Sequence, residues 1–166
     1  MPGLERYAGA DCLVVGIGNV GRQDDGLGWA FVDRVEAAGL CGEAELVRTY
    51  QLHLEDADLI RDRRRVLFVD STTEAAVADF SRGRPQPRLE VAFTSHALTV
   101  PTVLETCRQC FGVLPEVEVL AIRGYGWDLV AGLTPAAEAN LTAALAAMAS
   151  PTTVVPPPLP SRRTSR

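Results

Sequence analysis

Two periodicities of apolar residues alternate along this chain, and together they predict strands separated by helices. Short apolar or alternating runs predict strands, and apolar residues spaced three and four apart predict amphipathic helices. Strands are predicted at residues 12–17, 44–50, 66–70 and 116–122, and helices at 26–38, 52–60, from 101 onward, and 135–148. Strands that alternate with helices favour an α/β protein with a mainly parallel sheet.

A fifth strand is predicted at residues 89–93, where apolar and polar residues alternate. Residues 74–80 offer one or two helical turns, too little for a confident crossover helix, so this strand is predicted to be antiparallel and at an edge. The fold class that follows is a three-layer α/β/α sandwich around a twisted, mainly parallel five-stranded sheet. We expect residues 1–149 to form a single domain and the Pro-rich residues 150–166 to be a disordered tail.

The loop after the first strand carries the first candidate chemistry. Its Gly16-x-Gly18-x-x-Gly21 spacing matches the dinucleotide-binding fingerprint. The adjacent Asp24 and Asp25 argue against a bound pyrophosphate, because two carboxylates at the helix start repel an anion. The pattern leaves three interpretations open: helix capping by an aspartate, a carboxylate presented to a metal or scissile bond, and a nucleotide site.

A second strand ends in the same way, since the apolar run 66–69 is followed by Asp70. If this strand is parallel to the first and beside it, Asp70 and Asp25 lie at one edge of the sheet. His96, one of two histidines, stands in a loop just before the helix that begins near Pro101, where it can act as a ligand or a base.

Composition excludes several classes of function. The 166 residues have a net charge of −5, which disfavours a nucleic-acid partner, and no lysine, which excludes a Schiff base or a Walker lysine. No apolar run is long enough to span a bilayer and the N-terminus has no signal-peptide pattern, so we expect a cytoplasmic protein without a membrane partner. Cys107 and Cys110 form a C-x-x-C pair, which we interpret as two positions of an amphipathic helix.

The residues Gly16-Ile17-Gly18-Asn19, followed by Asp24-Asp25-Gly26-x-Gly28, resemble the opening signature of the [NiFe] hydrogenase maturation endopeptidases. The resemblance extends over roughly residues 12–149 and includes the closing Gly132-Leu133-Thr134-Pro135. One departure follows the second strand, where Thr49-Tyr50-Gln51-Leu52 replaces the Asp-Gly-Gly-Thr run of many members. In this it is similar to the subgroup that serves soluble NAD-linked hydrogenases.

The resemblance implies an aspartate- and metal-dependent endopeptidase that removes the C-terminal extension of the hydrogenase large-subunit precursor after nickel insertion. It implies that Asp25, Asp70 and His96 contact nickel and support cleavage, and that the nickel is carried by the substrate. Asn19, Asp24 and Gln51 are the expected substrate-binding residues. The expected partners are the precursor and its C-terminal peptide, and the expected state is a monomer.

The residue types agree with such a site, because two carboxylates and a neutral imidazole give the mixed oxygen and nitrogen donors that nickel accepts. The chain has no H-E-x-x-H motif of a self-contained zinc peptidase. The alternative from another class is a non-catalytic metal- or nucleotide-binding α/β module.

Overall fold

A computed structural model describes residues 3–89 and 98–149 of the chain. Its strands are β1 (Cys12–Ile17), β2 (Glu45–Thr49), β3 (Arg65–Thr72), β4 (Phe80–Gly83) and β5 (Glu116–Arg123). Its helices are α1 (Leu27–Ala37), α2 (Asp56–Arg61), α3 (Val100–Phe111) and α4 (Pro135–Ala149). Short 3-10 helices occupy Leu4–Tyr7 and Gln23–Gly26.

The five strands form one sheet in the order β2-β1-β3-β5-β4. All pairs are parallel except β4 with β5, which is antiparallel, so the predicted fold class is confirmed. Gly16 of β1 lies opposite Arg48 of β2 and Val69 of β3. The carboxyl ends of these three strands, and the loops that follow them, therefore share one edge of the sheet.

The antiparallel edge strand does not lie where the sequence predicted it. Residues 74–79 make a turn rather than a helix, and the chain then enters β4 at Phe80. Of the predicted strand 89–93, Leu89 is described and is not in a strand, and the other four residues lie outside the described part. His96 and the tail 150–166 also lie outside it.

Helices cover both faces of the sheet because β1 and β3 are apolar on both sides. Val14 of β1 belongs to the core beneath α1 and α4, and its neighbours Leu13 and Val15 belong to the core beneath α2 and α3. A central strand that is buried on two faces gives a continuous apolar run, which is why the sequence located β1 and β3 well.

Helix α2 begins at Asp56, four residues later than residue 52, the predicted start. Leu52 instead forms an isolated antiparallel bridge with Leu98, just before α3. The backbone amide of His53 donates to the Asp56 carboxylate over 2.7 Å, so the chain turns here before it becomes helical. The segment before α2 and the segment before α3 are thus tied together at the carboxyl edge.

A buried ion pair joins β4 to β5, and the N-terminal 3-10 helix is attached to it through Tyr7. Arg82 Nε donates to Glu118 Oε1 over 2.6 Å, and both side chains are only 8% exposed. The Tyr7 hydroxyl donates to the other oxygen of Glu118 over 2.9 Å. Within the described part of the chain, no helix has the length and apolarity needed to cross a bilayer.

Candidate active site

A cavity of about 550 Å³ opens at the carboxyl edge of the sheet, between the loop after β1, the segment after β2 and the start of α3. Asp25, Asp70 and Gln51 are its acidic and amide groups. Its apolar wall consists of Ile17, Leu52, Phe68, Leu98, Val100, Pro101 and Val119. No arginine, lysine or histidine lines the cavity among the described residues. The two carboxylates there consequently favour a cationic or proton-bearing ligand.

Asp70 comes into this cavity from β3, six residues into the strand. Burial raises its pKa to about 7, the backbone amide of Ser71 counteracts part of that rise, and the negative charge of Asp25 adds to it. The Ser71 amide donates to Oδ1 over 2.7 Å. A carboxyl group with a pKa near neutrality can both accept and donate a proton during a reaction.

Asp25 is presented by the 3-10 helix Gln23–Gly26, and its backbone is held from two sides. Its amide donates to the Arg22 carbonyl, and its own carbonyl accepts from the Asn19 amide, both over 3.2 Å. Gly18 has a φ of +130°, and a Cβ at that position would overlap the Asp25 carbonyl oxygen. The glycine is therefore required for the close approach that places Asp25.

Helix capping is not what these aspartates do. Helix α1 is preceded by Gly26 as its N-cap, with no side-chain hydrogen bond to the helix start. The capping interpretation of Asp24 and Asp25 is therefore wrong. The 3-10 turn shifts the helix start past both carboxylates, which leaves each free for a different role.

Asp24, expected to bind substrate, is instead fully buried within the protein. Its carboxylate accepts hydrogen bonds from the amides of Tyr125, Gly126 and Thr134 and from the Thr134 hydroxyl. Burial alone would raise its pKa, and these donors together bring the pKa below its ordinary value. The structure thus separates two adjacent aspartates, one facing the cavity and one facing the interior.

The glycine-rich loop does not offer its amides to a phosphate. The amide of Gly18 donates to Thr49 and that of Gly21 donates to the Asn19 side chain. The following amides are engaged as well: Arg22 with the Asn19 carbonyl, Gln23 with Val130, Asp24 with Gly126, and Asp25 with Arg22. A dinucleotide fingerprint works through free backbone amides, so this loop does not fit a pyrophosphate.

The other two expected substrate-binding residues differ in position. Gln51 lines the cavity beside the carboxylates. Asn19 lies outside the lining, and its Oδ1 accepts the Gly21 amide over 2.8 Å, which closes its own turn.

Sequence reasoning missed the aromatic pair that supports the cavity wall. Tyr50 lines the cavity although it is 62% exposed, and its ring centroid lies 5.1 Å from that of Trp29. Trp29 Nε1 donates to the Thr49 carbonyl over 2.9 Å, which fixes the end of β2. The available signal was an aromatic residue at the carboxyl end of the predicted strand 44–50, next to Gln51.

The predicted metal ligands are Asp25, Asp70 and His96, of which His96 lies outside the described part of the chain. Within residues 3–89 and 98–149, no group of three His, Cys, Asp or Glu side chains is placed to hold a metal ion. Asp25 and Asp70 supply two oxygen donors in one cavity. Cys107 and Cys110 are free, one buried and one exposed on α3, as predicted for helix positions.

The fold of this chain is similar to that of several solved structures. The hydrogenase maturating endopeptidase HybD from E. coli superimposes with a TM-score of 0.66 over 81% of this chain and 87% of that chain, at 21% identity. The [NiFe] hydrogenase maturation protease HycI from Thermococcus kodakarensis gives a TM-score of 0.65 over 82% and 88%, at 17% identity. The hydrogenase 2 maturation peptidase from Thaumarchaeota archaeon SCGC_AB-539-E09 gives 0.58 over 81% and 93%, at 24% identity.

No protein-family model matches the chain, and no curated protein matches it. The likeness is therefore one of three-dimensional structure, and it covers 81–82% of this chain. The chain has the fold of the [NiFe] hydrogenase maturation proteases.

Proposed function

We propose that this chain is an endopeptidase that removes the C-terminal extension of a [NiFe] hydrogenase large-subunit precursor after nickel insertion. One observation carries the proposal: Asp25 and Asp70 line the same cavity, on the fold of the maturation proteases. The signature residues that resemble this family include Asp25, and the strand-ending aspartate of the resemblance is Asp70. The engaged amides of the glycine-rich loop speak against the nucleotide-binding alternative.

Recognition in this proposal depends on nickel that the precursor brings with it. The two carboxylates are hard oxygen donors without a neighbouring cation among the described lining residues, so a divalent ion compensates their charge. Nickel on the substrate supplies Lewis acidity at the scissile carbonyl. A precursor without the metal brings no positive charge into the cavity, and binds poorly.

Proton transfer is assigned to Asp70. Before the nickel-loaded precursor binds, its pKa of about 7 makes both protonation states accessible near neutral pH. In the ionised state it takes a proton from the attacking water, and in the protonated state it delivers a proton to the leaving amine. The charge of Asp25 helps raise the pKa of Asp70. Asp25 is therefore assigned to nickel binding, and Asp70 to proton transfer.

His96 is the third proposed contact to the nickel, although it lies outside the described residues. Leu98, two residues further along the chain, lines the cavity. An imidazole there would complete the mixed donor set with the two carboxylates.

The remaining lining is suited to hold an extended peptide. Gln51 offers an amide that can donate to and accept from a peptide backbone. The apolar wall excludes water from the reacting bond, which strengthens the electrostatic interactions of the carboxylates with it. Tyr50, supported by Trp29, extends this wall outward to the protein surface.

A processing assay tests the proposal. The purified chain is incubated with a nickel-loaded large-subunit precursor, and mass spectrometry follows release of the C-terminal peptide. Cleavage by the wild type, its loss in Asp25→Asn and Asp70→Asn, and its retention in Asp58→Asn, at an exposed position of α2, would support the assignment. Full processing by the Asp25→Asn, Asp70→Asn double variant would refute it. Thermal stabilisation by NAD or ATP would favour the nucleotide-binding alternative.

A further inference from the structure

The most deeply buried charge among the described residues belongs to Asp24, directly beside the residue assigned to catalysis. Its two carboxylate oxygens accept four hydrogen bonds of 2.7–2.8 Å. These distances lie in the range of charge-assisted hydrogen bonds, which are about twice as strong as neutral ones. A buried carboxylate is costly unless it is satisfied in this way.

The four donors come from one distant segment, the connection between β5 and α4. The amides of Tyr125 and Gly126 lie just after β5, and the amide and hydroxyl of Thr134 lie at the start of α4. Thr134 also caps α4, because its hydroxyl accepts the Ala137 amide over 3.3 Å. One carboxylate therefore anchors the loop after β1 to both ends of the β5–α4 connection.

Neighbouring contacts make this attachment close and specific. The Asp24 amide donates to the Gly126 carbonyl over 3.1 Å, so the two chains exchange hydrogen bonds in both directions. A Cβ on Gly124 would come within 2.8 Å of the Asp24 Cβ, which leaves room for glycine only. Gln23 binds the same connection through its amide to Val130 and through its Oε1, which accepts the Asp128 amide.

The 3-10 helix Gln23–Gly26 is also held by the residues that directly follow β1. The Asn19 amide donates to the Asp25 carbonyl, and Gly18 packs directly against that carbonyl. The backbone of Asp25 is thus held on one side by Gly18 and Asn19, and on the other side by the hydrogen bonds of the adjacent Asp24. Its side chain is directed to the cavity, and the adjacent Asp24 side chain is directed inward.

We propose that Asp24 is a positioning residue, whose carboxylate holds the 3-10 turn in the one orientation that presents Asp25 to the nickel-bearing substrate in the cavity. The inference rests on the proposed function in one respect, that Asp25 acts on the substrate. A displacement of about 1 Å at a reacting group costs about 100-fold in rate, so an anchor of this kind has a catalytic consequence.

The variant Asp24→Asn tests the anchor with little change of shape. An asparagine amide group would direct its own N–H groups at the donors of Tyr125, Gly126 or Thr134, so the turn is released. Amide hydrogen exchange, followed by NMR, is expected to accelerate at least tenfold at Asn19 and Asp25. This acceleration is expected to exceed that at core amides such as that of Phe68, which report on global unfolding. Asp33→Asn, which neutralises an exposed carboxylate on α1, is the matched control and leaves all these rates unchanged.

Activity gives the second measurement. Asp24→Asn is expected to lower kcat/KM at least tenfold, at a temperature where the variant remains folded. A purely structural role would lower the Tm and leave kcat/KM per folded molecule unchanged, and that result would overturn the proposal. Unaltered exchange at Asn19 and Asp25 would overturn it as well.

Two further outcomes remain decisive. If Asp24→Asn does not fold, Thr134→Val removes one of the four donors and is expected to give smaller changes of the same kind; wild-type exchange in that variant would contradict the proposal. If the wild type cleaves no precursor, the proposed function fails, and the exchange rates still decide whether Asp24 fixes the turn.

Discussion

The carboxyl group of Asp70 lies close enough to Asp25 for the charge of Asp25 to raise its pKa, which burial and this charge together bring to about 7. Asp25 follows β1, and Asp70 lies in β3, 45 residues later in the sequence. The two residues meet because β1 and β3 pair in parallel. A carboxylate that contacts the substrate and a second carboxyl group with a raised pKa can divide the work of binding and proton transfer.

The raised pKa of Asp70 predicts a pH-dependent gain in stability for Asp70→Asn. The folded state prefers the protonated acid, so ionisation of Asp70 destabilises the wild type as the pH rises from about 4 toward 7. The variant is expected to be more stable than the wild type at pH 8, by up to about 4 kcal/mol at about 1.4 kcal/mol per pKa unit. Denaturant unfolding from pH 4 to pH 8 measures this, and a difference that is constant with pH would contradict the assignment.

The close approach at Gly18 predicts an unusually costly alanine substitution. Gly18→Ala places a methyl group on the Asp25 carbonyl, so the loss of stability should exceed the about 1–3 kcal/mol typical of overpacking, and processing should be lost. Gly112→Ala is the control, because Gly112 also has a positive φ but nothing lies within 4 Å of a Cβ there. It should cost about 1–2 kcal/mol in urea unfolding and leave processing unchanged.

The buried pair of Arg82 and Glu118 predicts a large effect on stability outside the cavity lining. Glu118→Ala removes a partner from a buried guanidinium and from the Tyr7 hydroxyl, and should cost about 3–5 kcal/mol. Glu138→Ala removes a half-exposed partner of Arg34 and should cost less than about 1 kcal/mol. Equal midpoints in urea for the two variants would show that the buried pair adds nothing beyond a surface pair.

Replacement of His96 should separate activity from folding. His96→Ala is expected to abolish processing of the nickel-loaded precursor and to leave the Tm within a few degrees of the wild type. His53→Ala, which changes an exposed histidine before α2, should leave processing unchanged. Normal processing by His96→Ala would remove the imidazole from the proposed donor set.

The sequence predicted the centre of the fold better than its edge. β1 and β3 are covered on both faces, so their residues are apolar throughout and easily recognised. The four-residue edge strand β4, with the sequence Phe-Ser-Arg-Gly, has no such pattern, because it is held by its pairing with β5 and by the ion pair of Arg82. An edge of this kind is determined by tertiary contacts that local periodicity does not contain.

The roles of Asp24 and Asp25 show a similar limit within the site. Two adjacent aspartates are indistinguishable by pattern, and both were predicted to lie at the substrate. What separates them is a set of donors about 100 residues later, at Tyr125, Gly126 and Thr134. The position of Asp70 in the cavity was predictable, by contrast, because a carboxylate directly after a buried apolar run marks the carboxyl edge of the sheet.

Dependence on nickel tests the proposed function most directly. The purified chain is mixed with the same large-subunit precursor prepared with and without nickel, and release of the C-terminal peptide is followed over time. The proposal predicts cleavage of the nickel-loaded precursor alone, and loss of that cleavage in Asp25→Asn. Equal cleavage of both forms would contradict the account, because Asp25 and Asp70 would then have a role other than recognition of the metal.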